Sequence, residues 1–291
     1  MSITAAMVKE LRERTGSGMM ECKKALVEAN GDMDTAIENM RKAGLAKADK
    51  KSDRTAAEGV IGAKVSDDAK TAVMVDVNCE TDFVAKGDDF VNFVDAITDV
   101  LLSNDIADID QLLAAELASG ESVDDTRRAL IAKLGENITV RRFAKYNAEG
   151  GTAYYLHGSK IGVIVELAKA DAELGKDIAM HVAASNPAYL NEDQVDPAAV
   201  EKEKEIFTAQ ALESGKPAEI VEKMITGRIK KFLGEITLVG QPFIKDDKMS
   251  VGQLLKSKDN SVVRYARFEV GEGIEKKEEN FAEEVMAQVR G

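Results

Sequence analysis

One order of elements occurs twice in this chain, and the second occurrence is interrupted. Residues 59–79 read as strand, polar turn at Ser66-Asp67-Asp68, and strand, followed by Phe90, Phe93, Val94, Ile97 and Leu101 at helical spacing. Residues 152–168 repeat this with Tyr154 to His157, a turn at Gly158-Ser159-Lys160 and the strand IGVIVELA, and a helix carrying Ile178 and Val182 ends near Pro187. The later parts match as well. ALIAKLGENITV (129–140) and IKKFLGEITLV (229–239) each read as a helix ending at Leu-Gly-Glu (134–136 and 233–235), with a β-branched strand beyond. Two copies of a strand–strand–helix–helix–strand unit explain these matches, and the fold expected is an α+β core with antiparallel sheets. The first copy is expected over 59–147 and the second over 148–270.

The interruption, residues 195–233, reads as an antiparallel helical hairpin. Asp196 suits a cap, Pro197 the first helical position, Gly215 the end of one arm and Pro217 the start of the other. Ile220, Val221, Met224, Ile225, Ile229 and Phe232 fall near one stripe. Such a hairpin either folds onto its own core or offers a face to a partner, a second copy of the chain included.

The flanks differ in character. Residues 1–45 read as three short helices: Ile3, Ala6, Met7 and Leu11 share a face, then Met19, Cys22, Leu26 and Ala29, then Met33, Ala36, Ile37 and Met40 behind an Asp32 cap. Gly44 stands where a C-terminal cap belongs. Residues 46–58, AKADKKSDRTAAE, have no apolar face and read as a linker. After a strand at 261–270, Gly271-Glu272-Gly273 leads into a terminal helical module, 271–291, with Phe281, Val285 and Val289 on one stripe for docking on the core or on a partner.

Charge narrows the function. The net charge is −13, and 14 acids stand against the single base Lys86 between Asp76 and Asp125, whereas the first fifty residues carry 9 bases and 8 acids. A protein that grips nucleic-acid backbones needs a basic surface, so direct nucleic-acid binding is not expected. No apolar run approaches the ~20 residues of a membrane helix, and the N-terminus lacks a signal-peptide apolar core. Cys22 and Cys79 sit in apolar patterns and read as buried, reduced thiols, which places the chain in the cytoplasm. Nucleotide-binding glycine motifs, paired zinc ligands and a nucleophile elbow are absent from the sequence. The expectation is a protein that binds, with no covalent chemistry, cofactor or metal of its own.

One stretch poses a question that spacing leaves open, since a ring such as Phe83 suits a plain core position. From Val73 to Cys79 the odd positions are Val, Val, Val and Cys and the even ones Met, Asp and Asn, as in a strand with one buried face. The pattern then breaks at Thr81-Asp82-Phe83-Val84, where an acid precedes a large ring.

These residues resemble the bacterial elongation factor Ts family. The resemblance rests on Val8-Lys9-Glu10-Leu11-Arg12, Thr15-Gly16-Ser17-Gly18-Met19-Met20-Glu21-Cys22-Lys23-Lys24-Ala25-Leu26 and Thr81-Asp82-Phe83-Val84. It continues through Gly135-Glu136-Asn137-Ile138, His157-Gly158, His181-Val182-Ala183-Ala184, Gly240-Gln241-Pro242-Phe243 and Val251-Gly252-Gln253-Leu254-Leu255. It implies a guanine-nucleotide exchange factor for the GTPase elongation factor Tu, acting in protein synthesis. It also implies a ubiquitin-associated-like N-terminal domain before the duplicated core. By the same resemblance Phe83 wedges into the GTPase near its magnesium site, Asp82 holds the loop there, and Thr81 caps the following turn. Met20, Lys23, Leu134, Gly135 and His157 are implied as further contacts. Lys23 and Lys24 cannot be ranked by spacing, one of Met19 and Met20 is expected in the core, and His157 also suits a plain turn residue. The rival reading is a helical adaptor that holds proteins together without altering nucleotide affinity.

Overall fold

The computed structural model describes residues 3–212 and 218–275. Three helices open the chain: α1 (Ala5–Thr15), α2 (Met19–Glu28) and α3 (Met33–Asp49). Side chains of Thr4 and Asp32 accept from Met7 N and Thr35 N and so cap α1 and α3, while Gly16 ends α1 in the left-handed conformation. Val8, Leu11, Cys22, Ala25, Leu26, Ala29 and Ala36 form their common core, with Ile3, Met7, Met33, Ile37 and Met40 packed around it.

Three sequence expectations change here. Ala6 is exposed, and Val8 takes the inward place. Gly44 does not end its helix; α3 runs on to Asp49, into the segment read as a linker. A Cβ on Gly44 would lie 3.1 Å from that of Ala132, so the glycine lets α3 approach a later helix closely. The rest of the expected linker is also partly inside, since Ala56 and Ala57 are buried and the first strand begins at Glu58.

The first copy follows as β1 (Glu58–Val65), β2 (Thr71–Cys79), the short α4 (Asp82–Ala85), α5 (Asp88–Ser103), α6 (Ile109–Ala114), α7 (Val123–Leu134) and β3 (Ile138–Asn147). The strands form a sheet in the order β1-β2-β3. Phe90, Phe93, Val94, Ile97 and Leu101 of α5 are all buried, as their spacing requires. Contrary to the alternation, β2 is buried on both faces, from Ala72 to Cys79. Its polar residues are each held through one atom: Asn78 Nδ2 donates to Glu58 O at 3.1 Å and Arg142 Nε donates to Asp76 Oδ2 at 3.1 Å, while Asn78 Oδ1 and Asp76 Oδ1 are buried without a hydrogen-bond partner among the described residues. Burial pushes the Asp76 carboxyl above its ordinary range, against the pull of Arg142 and Arg141. The acidic stretch is in part structural. Asp108 caps α6 through Gln111 N at 2.8 Å, and Asp124 accepts from Arg127 and Arg128. Burial opposes ionisation of Asp124, but the two guanidiniums prevail and hold it below the usual carboxylate range.

The second copy contains β4 (Gly151–His157), β5 (Ile161–Leu167), α8 (Ala172–Ser185), α9 (Pro197–Leu212), α10 (Ala218–Ile236), β6 (Pro242–Phe243), β7 (Asp246–Ser250), α11 (Val251–Ser257) and β8 (Val262–Glu269). β4 and β5 pair antiparallel from Gly151↔Leu167 to His157↔Ile161, and the sheet order is β4-β5-β8. Val163, Val165, Leu167, Leu174, Ile178 and Val182 meet in its core. The third strand is therefore β8, not the expected strand at 236–239. Leu233-Gly234-Glu235 lies inside α10, and where the strand was expected Thr237 makes an isolated bridge to Tyr189. A Cβ on Gly240 would lie 2.6 Å from the Cα of Gly234, so this glycine serves a close backbone approach. The helices α9 and α10 pack on each other, with Arg228 donating to Gln210 at 2.6 Å and lying 5.5 Å from the Phe207 ring centre. The expected Gly215 and Pro217 breaks, and Phe281, Val285 and Val289 of the terminal stripe, lie outside the described residues.

Contacts divide the chain into two compact units, 1–62 with 75–143 and 269–291, and 63–74 with 144–268. His181 is buried in the second. Its Nε2 meets Gln241 Oε1 at 2.9 Å and its Nδ1 accepts from Ile244 N at 3.2 Å, a pattern that needs the neutral ring. Burial pushes its pKa down, with Gln241 opposing. A depressed folded-state pKa means the unfolded chain takes up the proton first, so stability is lost as pH falls below about 6.5. The expected slope approaches about 1.4 kcal/mol per pH unit. Urea denaturation of the native chain and His181→Gln at pH 7.5 and 5.5 reads this: the difference in stability between the two should shrink at the lower pH.

Candidate partner-binding site

The site begins where β2 ends. Thr81 is extended and its side chain accepts from Val84 N at 3.4 Å, starting the single turn of α4. That cap is the role expected of Thr81. The turn is followed at once by α5, which starts behind Gly87. Four residues of apolar or acidic character, Asp82–Ala85, are thus placed on one corner. Ala85 turns inward and is buried, Val84 is half-buried, and Phe83 is 85% exposed. Seven positions on, Phe90 is 0% exposed. Asp82 lies across the turn from Lys86, whose Nζ donates to its Oδ2 at 2.7 Å and whose pKa this bond raises.

Behind the corner stands a network that spacing alone did not reveal. Glu136 Oε2 accepts from the backbone N–H groups of Glu80 at 3.1 Å and Thr81 at 2.9 Å, and its Oε1 accepts from Thr81 Oγ1 at 2.5 Å. Glu80 returns the arrangement: its Oε1 accepts from Asn137 N at 2.6 Å and from Arg54 Nη1 at 3.1 Å. Asn137 Nδ2 donates to the carbonyls of Ser52 and Arg54 at 3.2 and 2.8 Å, and Lys51 Nζ donates to the carbonyl of Gly135. The Leu134-Gly135 turn, left-handed at Gly135, is therefore tied to the same corner as Phe83. The sequence signal was there in the triplet Leu-Gly-Glu, but its two occurrences diverge in structure.

The remaining candidates lie on other elements. Met19 and Met20 open α2 at 60% and 75% exposed, so neither joins the core, which α2 reaches only from Cys22 onward. Lys23 and Lys24 are both exposed, and Lys24 stands 3.9 Å from Glu28. His157 ends β4, exposed, with Tyr155 Oη 3.4 Å from its Nδ1. It belongs to the other compact unit from Phe83. No helix is long and apolar enough to cross a membrane among the described residues.

A family model described as elongation factor TS matches residues 80–272, beginning at Glu80. Elongation factor Ts of Methylococcus capsulatus is 66% identical over 291 residues, covering 100% of this chain and 99% of that protein. Elongation factor Ts of Thioalkalivibrio sulfidiphilus is 62% identical over 293 residues, covering 100% of both. Elongation factor Ts of Alkalilimnicola ehrlichii is 59% identical over 292 residues, again covering 100% of both. With likeness of this strength running through the three-helix segment, the exposed corner and both copies of the core, the chain belongs to the elongation factor Ts family.

Proposed function

We propose that Thr81, Asp82, Phe83 and Val84 are the element with which this chain opens the magnesium and phosphate site of its GTPase. The chain is a guanine-nucleotide exchange factor for elongation factor Tu in translation elongation, and it works without covalent catalysis. The exposure of Phe83 carries the proposal. A ring of this kind can bury on the order of 150–250 Å², and here that area is held out on a capped, tethered corner. Seated between elements of the GTPase, the ring forces them apart. Magnesium tolerates displaced ligands poorly, so the metal and the diphosphate it bridges are both weakened. Asp82 then exchanges Lys86 for groups of the partner.

Ten-thousandfold acceleration corresponds to about 5.5 kcal/mol of barrier, more than one ring is expected to supply. Met20 and Lys23 on α2, Leu134 and Gly135, and His157 are the further contacts in this reading, and a ubiquitin-associated-like N-terminal domain presents the first two. The cytoplasm is the compartment such a partner requires. The α9–α10 hairpin, with Ile206 and Ile220 exposed, offers a face to a second copy of the chain; sedimentation equilibrium at micromolar concentration decides between dimer and monomer.

Linkage gives the direct test. A factor that loosens GDP must itself be loosened by GDP to the same extent. Isothermal titration against the nucleotide-free GTPase and against its GDP complex should show affinities at least about a hundredfold apart. Equal affinities would leave an adaptor, not an exchanger.

A further inference from the structure

We infer that Glu136 is a positioning residue for exchange: its carboxylate clamps the corner that carries Phe83 and keeps the ring presented. The inference rests on the wedge reading above. Phe83 gains its partner contacts only if the corner is already in the right shape, because ordering a loose loop on binding subtracts from the energy left to open the GTPase. A single turn of helix has little stability of its own, since nucleation is costly. Something outside the turn must hold it, and Glu136 takes three donors from the two residues that enter it. Hydrogen bonds to a charged carboxylate are the strong kind. The grip is reciprocal, with Glu80 holding Asn137 N from the other side.

The second copy serves as an internal control. Its matching triplet puts Glu235 on α10, exposed and 3.7 Å from Lys231, with no corner to hold. The equivalent corner there is secured by a neutral amide: Lys169 N donates to Asn260 Oδ1 at 3.1 Å, and Asn260 Nδ2 donates back to Lys169 O at 2.9 Å. That corner, Lys169-Ala170-Asp171, has no ring to present. Asp259 also reaches this corner, through the Lys169 ammonium, but of the two corners only the one that holds out an aromatic ring has its backbone N–H groups taken by a carboxylate among the described residues. General support of the fold would not require this asymmetry, since both corners join a strand to a helix.

A double-mutant cycle on GDP release tests the clamp. Release of fluorescent GDP from elongation factor Tu is measured at saturating exchange factor for the native chain, Glu136→Ala, Phe83→Ala and the pair. Glu136→Ala should lower the maximum rate about tenfold while affinity for the nucleotide-free GTPase changes less than about threefold. In the Phe83→Ala background it should have almost no further effect, because the ring it positions is gone. Equal losses in both backgrounds, or no loss in the native one, overturn the clamp alone. Native-rate release by Phe83→Ala overturns the wedge and the clamp with it. If Glu136→Ala does not fold, Glu136→Gln, which keeps the shape and one acceptor oxygen, takes its place in the cycle, and the same results support or overturn the clamp.

Discussion

Replacing Phe83 by alanine should reduce acceleration of GDP release by on the order of a hundredfold, about 2.7 kcal/mol, and leave the fold untouched. The two halves follow from one observation. With 85% of the residue in solvent, the isolated chain gains little from the ring, and its truncation falls among surface changes worth within about 0.5 kcal/mol. The same exposure makes the ring's whole area available to a partner. At ~25 cal/mol per Å², 150–250 Å² gives an upper bound of about 4–6 kcal/mol. Part of that is spent displacing the partner's own packing, which is why the expected loss is smaller. Thermal unfolding of Phe83→Ala beside the native chain should give midpoints within about 2 °C.

Phe90→Ala should do the reverse. Phe90 is 0% exposed and lies on the buried face of α5 with Phe93, Val94, Ile97 and Leu101. Removing the ring discards its burial and leaves a cavity that neighbouring side chains fill only in part. Changes of this kind cost about 3–5 kcal/mol, a large fraction of the ~5–15 kcal/mol that stabilises a typical domain. Equilibrium urea unfolding should show the midpoint fall by that energy divided by an unchanged slope. Molecules that remain folded still carry Phe83 and should still accelerate release. Two phenylalanines on one corner and its adjoining helix thus separate function from stability, and an equal effect of both substitutions on the fold would contradict the assignment of Phe83 to the surface.

Periodicity exposed much of this in advance, and its failures are instructive. The face of α5 and the β4–β5 hairpin depend on neighbours in sequence, so spacing sufficed, whereas the outward place of Phe83 was legible only through the family resemblance. Asp76 and Asn78 looked like the wet side of a strand because their partners, Arg142 and the carbonyl of Glu58, are 66 and 20 positions away. Gly44 and Gly234 looked like helix ends, yet each lies within a helix where another segment of the chain comes close. Glycine allows close approach as readily as it allows a left-handed turn, and local sequence does not distinguish the two. Glu136 was hidden for the reason Asp76 was: its donors are 55 and 56 positions away. Nothing local marks a carboxylate as a clamp rather than another charge on an acidic surface.

Stopped-flow release of fluorescent GDP from elongation factor Tu, with the native chain and with Phe83→Ala, is the decisive test of Phe83 as the wedge, provided binding of each to the GTPase is measured alongside. Release should be rapid with the native chain, and the acceleration should be mostly lost with the variant, although both still bind. Two chains that bind equally and accelerate release equally would contradict the wedge, and two that bind without accelerating release would contradict exchange itself.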